Sequence, residues 1–115
     1  MSDEKRRGLL LVMIDIDPEH EEEFNRWYNE EHLPERLACS GFLSGRRFVS
    51  LEGTPKYLAL YDLESPDVLQ SDAYRKIFGP SDWTQRISTH FLRLVRNVYV
   101  EITPEEAKKE AHSGE

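Results

Sequence analysis

Apolar positions fall into blocks whose periods change along the chain. Gly8 to Ile16 reads Gly-Leu-Leu-Leu-Val-Met-Ile-Asp-Ile, apolar almost without alternation, as expected of a strand covered on both faces. A capping residue followed by proline then recurs at Asp17-Pro18, Ser65-Pro66 and Thr103-Pro104. The side-chain oxygen of such a pair accepts an orphan amide, and proline suits the first helical position because its missing N–H had no partner there. The pattern predicts a first helix from Pro18 to about Glu31, stopped by Pro34, with a short piece from Glu35 to Cys39 continuing at an angle until Ser40-Gly41. Phe42 to Leu51 and Lys56 to Glu64 read as a strand pair around the loop Glu52-Gly53-Thr54-Pro55. Pro66 to Phe78 reads as a second helix with Leu69, Ala73 and Ile77 on one stripe, ended by Gly79-Pro80. A short helix around Ser81 to Ser88 then leads into a last strand from His90 to Ile102.

The order is β-α-β-β-α-β. Such a unit folds as a four-stranded antiparallel sheet with both helices on one face, an α+β fold of the ferredoxin-like kind. It occupies 8–102 as a single domain. Residues 1–7 and 103–115 are expected to be flexible or weakly ordered, because Glu105 to Glu115 has no apolar face despite the capping box Thr103-Pro104-Glu105-Glu106. Leu9 to Ile14, Tyr57 to Leu63 and Leu92 to Val100 carry apolar residues at both parities. Both sheet faces therefore need cover, which predicts a homodimer with two sheets packed face to face.

Composition narrows the function classes. The 115 residues carry 15 Lys+Arg against 22 Asp+Glu, a net charge of −7. Asp17 to Ala38 holds eight acids and two bases, so most of the excess sits on the first helix. Without a basic cluster beyond Arg6-Arg7 and Arg46-Arg47, neither nucleic acid nor an anionic membrane surface is an expected partner. The single cysteine, Cys39, excludes an intrachain disulfide, and the absence of a signal-like or membrane-length apolar run leads us to expect a cytoplasmic protein. No glycine-rich phosphate loop, zinc-ligand spacing or nucleophile elbow occurs, so neither a metal nor a cofactor is expected.

Candidate chemistry therefore rests on histidine, tyrosine, arginine and carboxylates. Phe24, Tyr28 and His32 stand at i, i+4 and i+8 beside Trp27, one stripe that must face the sheet, with the acids mainly on the other side. His32 is the sharpest candidate for a general acid or base. A helix ending at Pro34, with Glu31 and Glu35 beside it, would favour its charged form. The alternative is a histidine that caps the last carbonyls of the helix and packs against aromatics. His90 opens the last strand and could reach the same pocket or pack at the strand end; His20 reads as structural, and His112 lies in the tail. Arg46 and Arg47 alternate across their strand, so one is inward and needs an anionic partner, from the protein or from a substrate. Tyr61 shares a face of its strand with Tyr57. Cys39 reads as an inert thiol.

The segment Glu-Phe-Asn-Arg-Trp-Tyr-Asn-Glu-Glu-His-Leu-Pro-Glu-Arg-Leu, Glu23 to Leu37, with Gly41-Phe42 and Arg46-Arg47-Phe48 after it, resembles the dimeric α/β-barrel superfamily, in particular its EthD-like branch. The resemblance spans about Leu9 to Ile102 and is most specific from Trp27 to Pro34. It implies the dimeric fold, but its members include monooxygenases, isomerases, cyclases and haem proteins, so it does not fix an activity. The expected function is a small cofactor-independent enzyme, in a catabolic pathway, that moves a proton on a hydrophobic aromatic or enol-bearing carbonyl compound. His32 would move the proton, Arg46 or Arg47 would stabilise oxyanion charge, and Phe24, Trp27, Tyr28, Tyr61 and His90 would shape the site. The rival expectation is a non-catalytic dimeric binding or accessory protein for a hydrophobic metabolite or haem, with His32 or His90 as axial ligand.

Overall fold

The computed structural model describes residues 6–108. Strand β1 (Gly8–Ile16) owes its unbroken apolar run to its place inside the sheet: it pairs antiparallel with β3 (Tyr57–Leu63) on one side and β4 (Phe91–Val100) on the other. β2 (Phe42–Val49) adds antiparallel to the far edge of β3, giving the order β2-β3-β1-β4. This is the expected four-stranded, helix-covered α+β ferredoxin-like sheet.

The two sheet faces differ. Leu10, Ile14 and Ile16 of β1 and Ala59, Tyr61 and Leu63 of β3 are buried beneath the helices, in one core with Phe24, Trp27, Tyr28, Val68, Tyr74 and Ile87. On the other face Leu11 lies between Leu60 and Asn97, Met13 lies between Leu58 and Val95, and Phe48 stands opposite Leu58. An apolar patch therefore crosses all four strands, with no second layer over it among the described residues.

Helical segments cover the first face. Asp17 caps a 3-10 turn, Pro18–His20, by accepting the Glu19 N–H at 3.0 Å, and α1 (Glu21–Trp27) follows directly. Pro34 does not stop this helix. Residues Tyr28–His32 form a π-turn in which the Leu33 N–H donates to the Tyr28 carbonyl five residues back, and α2 (Leu33–Leu37) continues beyond it. Leu33 keeps right-handed helical angles, φ −64° and ψ −48°. The wider turn removes the clash that a proline ring makes with the carbonyl four residues earlier in an ordinary α-helix.

The second expected helix is broken in the middle. Ser65 caps a 3-10 turn, Pro66–Gln70, but Ser71 is extended (φ −76°, ψ 158°) and its Oγ accepts the Tyr74 N–H at 3.1 Å, starting α3 (Asp72–Arg75) afresh. A serine that can bond its own downstream backbone competes with helix continuation. The break buries Val68 and Tyr74, and leaves Leu69, Ala73 and Ile77 only half-covered. Gly41, at φ +95°, turns the chain into β2 where a Cβ would stand 2.5 Å from Val68 Cγ2, so only glycine fits there. α4 (Asp82–Ser88) is capped by Ser81, as its segment predicted. A short α5 (Glu105–Lys108) follows β4. The expectations for 1–5 and 109–115, including His112, lie outside the described residues. Among the described residues no helix is long and apolar enough to cross a membrane.

Candidate functional site

The π-turn sets out the site. By letting the helix run past Pro34, the turn keeps Arg36 on the same helical run as Tyr28 and His32, and all three line one cavity of about 200 Å³ between the helices and the sheet. Its floor is Leu10, Val12 and Ile14 of β1, and Trp27, Tyr61 and Phe91 close it with ring faces and edges. Tyr74 and Arg96 also line it. Phe24 is fully buried and packs edge-on to Tyr28, with ring centroids 5.6 Å apart.

Three acids of α1 and the π-turn depart from the expected solvated stripe. Glu21 binds Lys56 at 2.6 Å and accepts the Tyr57 hydroxyl; Glu23 accepts Trp83 Nε1 at 3.0 Å and Arg86 at 3.3 Å; Glu31 accepts Ser81 Oγ, and Thr84 Oγ1 at 3.0 Å. Trp27 Nε1 donates to the same Thr84 hydroxyl at 3.0 Å, so the indole that walls the cavity is tied to α4. These contacts hold the carboxyls of Glu21 and Glu23 below their usual range, chiefly through Lys56 and Arg86 respectively.

His32 stacks on Trp27 (centroids 4.5 Å apart, planes at 23°) and meets Tyr28 edge to face at 4.9 Å. Its Nδ1 is buried without a hydrogen-bond partner. Burial first, then the positive charges of Arg36 and Arg47, lower its pKa to about 3. The charged histidine expected at a helix end is thus replaced by a neutral one, because the helix does not end there and the nearest strong field is cationic.

Tyr28 and Tyr61 share a buried hydroxyl contact of 3.1 Å. Burial raises both phenol pKa values, so both stay protonated. One hydroxyl donates to the other, which leaves one O–H proton over for an acceptor in the cavity.

Strand alternation resolves the arginine pair as it must. Arg46 faces the helix-free side of the sheet, 3.9 Å from Asp62, and takes no part in the cavity. Arg47 is inward, but its partners are not anions: it donates to Asn25 Oδ1 at 2.8 Å and Asn29 Oδ1 at 3.0 Å and lies 4.4 Å above the Tyr28 ring. Two amide oxygens and the negative face of a ring satisfy a guanidinium without a carboxylate. It touches the side of the ring away from the cavity, in a crevice with Phe24 and Tyr57.

His90 does not reach the cavity. It stacks on His20 at 3.4 Å, and with Asp17 the pair places three potential ligand atoms within 4.8 Å of one another. The rings are nearly parallel, 13° apart, so their in-plane lone pairs run side by side instead of converging, and Asp17 is already occupied as a cap. A haem does not fit the residues present: the cavity lies below the roughly 300–1,000 Å³ of sites for drug-sized ligands, and His90 stands outside it. Cys39 is buried, and burial raises its thiol pKa.

Residues 8–95 match the model of DUF4286, a domain of unknown function. The chain belongs to the DUF4286 family. Solved structures similar to this DUF4286 chain include a dimeric ferredoxin-like protein from an uncultured marine organism (18% identity, 89% of this chain and 92% of that one, TM-score 0.64) and a conserved protein from Methanosarcina mazei Go1 (16%, 87% and 97%, 0.62). A protein of Shewanella loihica PV-4 provisionally assigned as a monooxygenase is similar too (16%, 86% and 97%, 0.63). At such identities the likeness shows the fold. None of the curated proteins matches the chain.

Arg36 and Arg96 were not singled out as site residues by the sequence pattern, although Arg36 continues the Tyr28-His32 stripe at the same spacing and Arg96 is in register with Val12. For this DUF4286 chain the buried histidine carries a pH signature. A histidine with a depressed folded pKa stabilises the fold above its unfolded pKa, near 6.5, and that contribution is lost as pH falls toward about 3. Denaturant unfolding at a series of pH values should therefore show stability falling between pH 6.5 and 4.5, ahead of carboxylate titration, and a shallower fall in His32→Phe. Equal slopes would contradict the buried neutral imidazole.

Proposed function

We propose that this protein is a small dimeric enzyme that moves a proton on a hydrophobic, aromatic or enol-bearing carbonyl compound without a cofactor. The observation that carries the reading is the bare, buried Nδ1 of a neutral His32 in a cavity shared with a surplus Tyr28–Tyr61 hydroxyl proton. A neutral imidazole is the proton-accepting form, although burial and the two arginines make this one a weak base until they are offset, and a phenol O–H aimed at a carbonyl oxygen stabilises the enolate that proton removal creates. Trp27, Tyr28 and Phe91 give a flat ring surfaces to lie against. Arg47 is a positioning residue in this scheme: clamped by Asn25 and Asn29, it fixes the Tyr28 ring and favours negative charge near its oxygen.

The likeness of Trp27–Pro34 to the EthD-like branch supports the same reading. So does the presence of a monooxygenase assignment among proteins of this fold. A second copy of the chain is the proposed cover for the apolar sheet face around Leu11, Met13, Leu58 and Leu60, as the dimeric description of one fold neighbour suggests. The site would then work in a cytoplasmic homodimer.

Proton transfer is testable before the natural substrate is known. In D2O, wild-type protein should accelerate exchange of the acidic C–H of small aromatic 1,3-dicarbonyl probes, followed by proton NMR, and His32→Gln should lose at least about tenfold of that rate while keeping its dimer and fold. Probes that bind without accelerated exchange would instead make the protein a passive binder. For the assembly, light scattering should give a dimer that Leu60→Lys converts to a monomer; an unchanged mass for the variant, or a monomeric wild type, would contradict the covered face.

A further inference from the structure

We infer that the cavity is built for a ligand that carries a carboxylate, held by Arg36 and Arg96 while its ring or chain lies on the aromatic walls beside His32. The inference rests on the proposed reading of this cavity as the small-molecule site and names the class of compound it takes.

Charge is the first argument. The chain as a whole has seven more acids than bases, yet no aspartate or glutamate lines this cavity and two arginines do. An apolar pocket lined by paired guanidinium groups and no carboxylate favours an anion over a neutral compound of the same shape.

Unmet hydrogen bonding is the second. Among the described residues, the buried side-chain polar atoms without a partner are Arg36 Nη1 and His32 Nδ1, and both residues line this one cavity. Arg36 Nη1 forms an ion pair with Glu35 Oε1 at 3.6 Å, a separation too long for a hydrogen bond. Arg36 is itself well covered, with 14% of its side chain exposed. A buried guanidinium N–H without a hydrogen bond is costly, and a small shift of the side chain toward an anionic acceptor in the cavity removes that cost.

Geometry is the third. Tyr74 of α3 ties the two arginines together: the Arg36 guanidinium lies 5.8 Å from the centre of its ring, and Arg96 Nη2 is 3.4 Å from its hydroxyl. Arg36 comes from α2 and Arg96 from the exposed edge strand β4, so they flank the cavity from the helical layer and the sheet respectively. Both guanidinium groups thus border the cavity beside Tyr74, and the planar fork of arginine suits a carboxylate better than lysine. The anion would also act on the chemistry. Burial first, then Arg36 and Arg47, weaken His32 as a base, and an anion at Arg36 offsets the second of these causes.

The test uses benzoate, 3-phenylpropanoate and 2-oxo-3-phenylpropanoate, each against its uncharged primary amide, titrated into the intact protein by calorimetry or ligand-observed NMR. We expect at least one acid to bind at least tenfold more tightly than its amide, with the preference falling to less than threefold in Arg36→Met and in the exposed-site variant Arg96→Met. Methionine keeps the length of the apolar stem, and Arg96→Met guards against a fold defect in the more buried Arg36→Met. Amides that bind as well as acids, an acid preference that survives both substitutions, or no binding by any probe would overturn the inference. The outcomes separate from the proton-transfer reading. Acid-selective binding with no His32-dependent exchange leaves the arginine clamp standing and removes the enzyme, whereas His32-dependent exchange on neutral probes without acid preference does the reverse.

Discussion

The widened turn at Tyr28–His32 is the constraint on which the site depends. An α-helix that met Pro34 in its interior would lose a hydrogen bond and drive the proline ring against the carbonyl four residues back, at a cost of about 3 kcal/mol or more. The Leu33 N–H bonds instead to the Tyr28 carbonyl, five residues away, and the helix runs on to Leu37. The helix therefore carries Arg36 beyond Pro34 on the stripe of Tyr28 and His32, and the acids on the opposite side remain free to bind α4 and β3. π-turns of this kind occur frequently at functional sites.

A second consequence is electrostatic separation. The acidic residues of the first helix look outward or are spent on Lys56, Arg86, Ser81 and Thr84, while the arginines converge inside. Arg47 lies on one side of the Tyr28 ring and Arg36 beyond His32 along the helix, so the imidazole sits in a field that opposes its protonation. Satisfying Arg47 with Asn25 and Asn29 instead of carboxylates keeps that field unneutralised. The protein thus maintains a positive, largely apolar interior beneath a negative exterior.

Much of the architecture was legible in the residue pattern. The helices supply cover for one of the two faces that the unbroken apolar run of β1 called for, the Asp17-Pro18 and Ser65-Pro66 pairs marked helical starts, and the stripe Phe24-Tyr28-His32 did turn inward. What could not be read depended on competition between local options. Pro34 signals a stop unless a neighbouring turn relaxes to i+5 bonding, and nothing in the one-dimensional pattern announces that relaxation. Ser71 is an ordinary mid-helix residue until its hydroxyl caps a new segment. The ionisation of His32 was misjudged for the same reason: with the helix thought to end at Pro34, the local field was assigned to a carbonyl terminus and two glutamates, whereas burial and two arginines determine it. Arg96 gained its place only through the register of β4 against β1, which no sequence period encodes.

The account turns on a neutral His32, with a buried and unpartnered Nδ1, at the wall of the cavity. Long-range proton–nitrogen correlation of the imidazole, in protein labelled with nitrogen-15 at histidine and assigned by comparison with His32→Gln, reads this state directly. At pH 5 the account predicts one protonated and one unprotonated ring nitrogen for His32. Two equivalent protonated nitrogens at that pH, the imidazolium pattern, would contradict it.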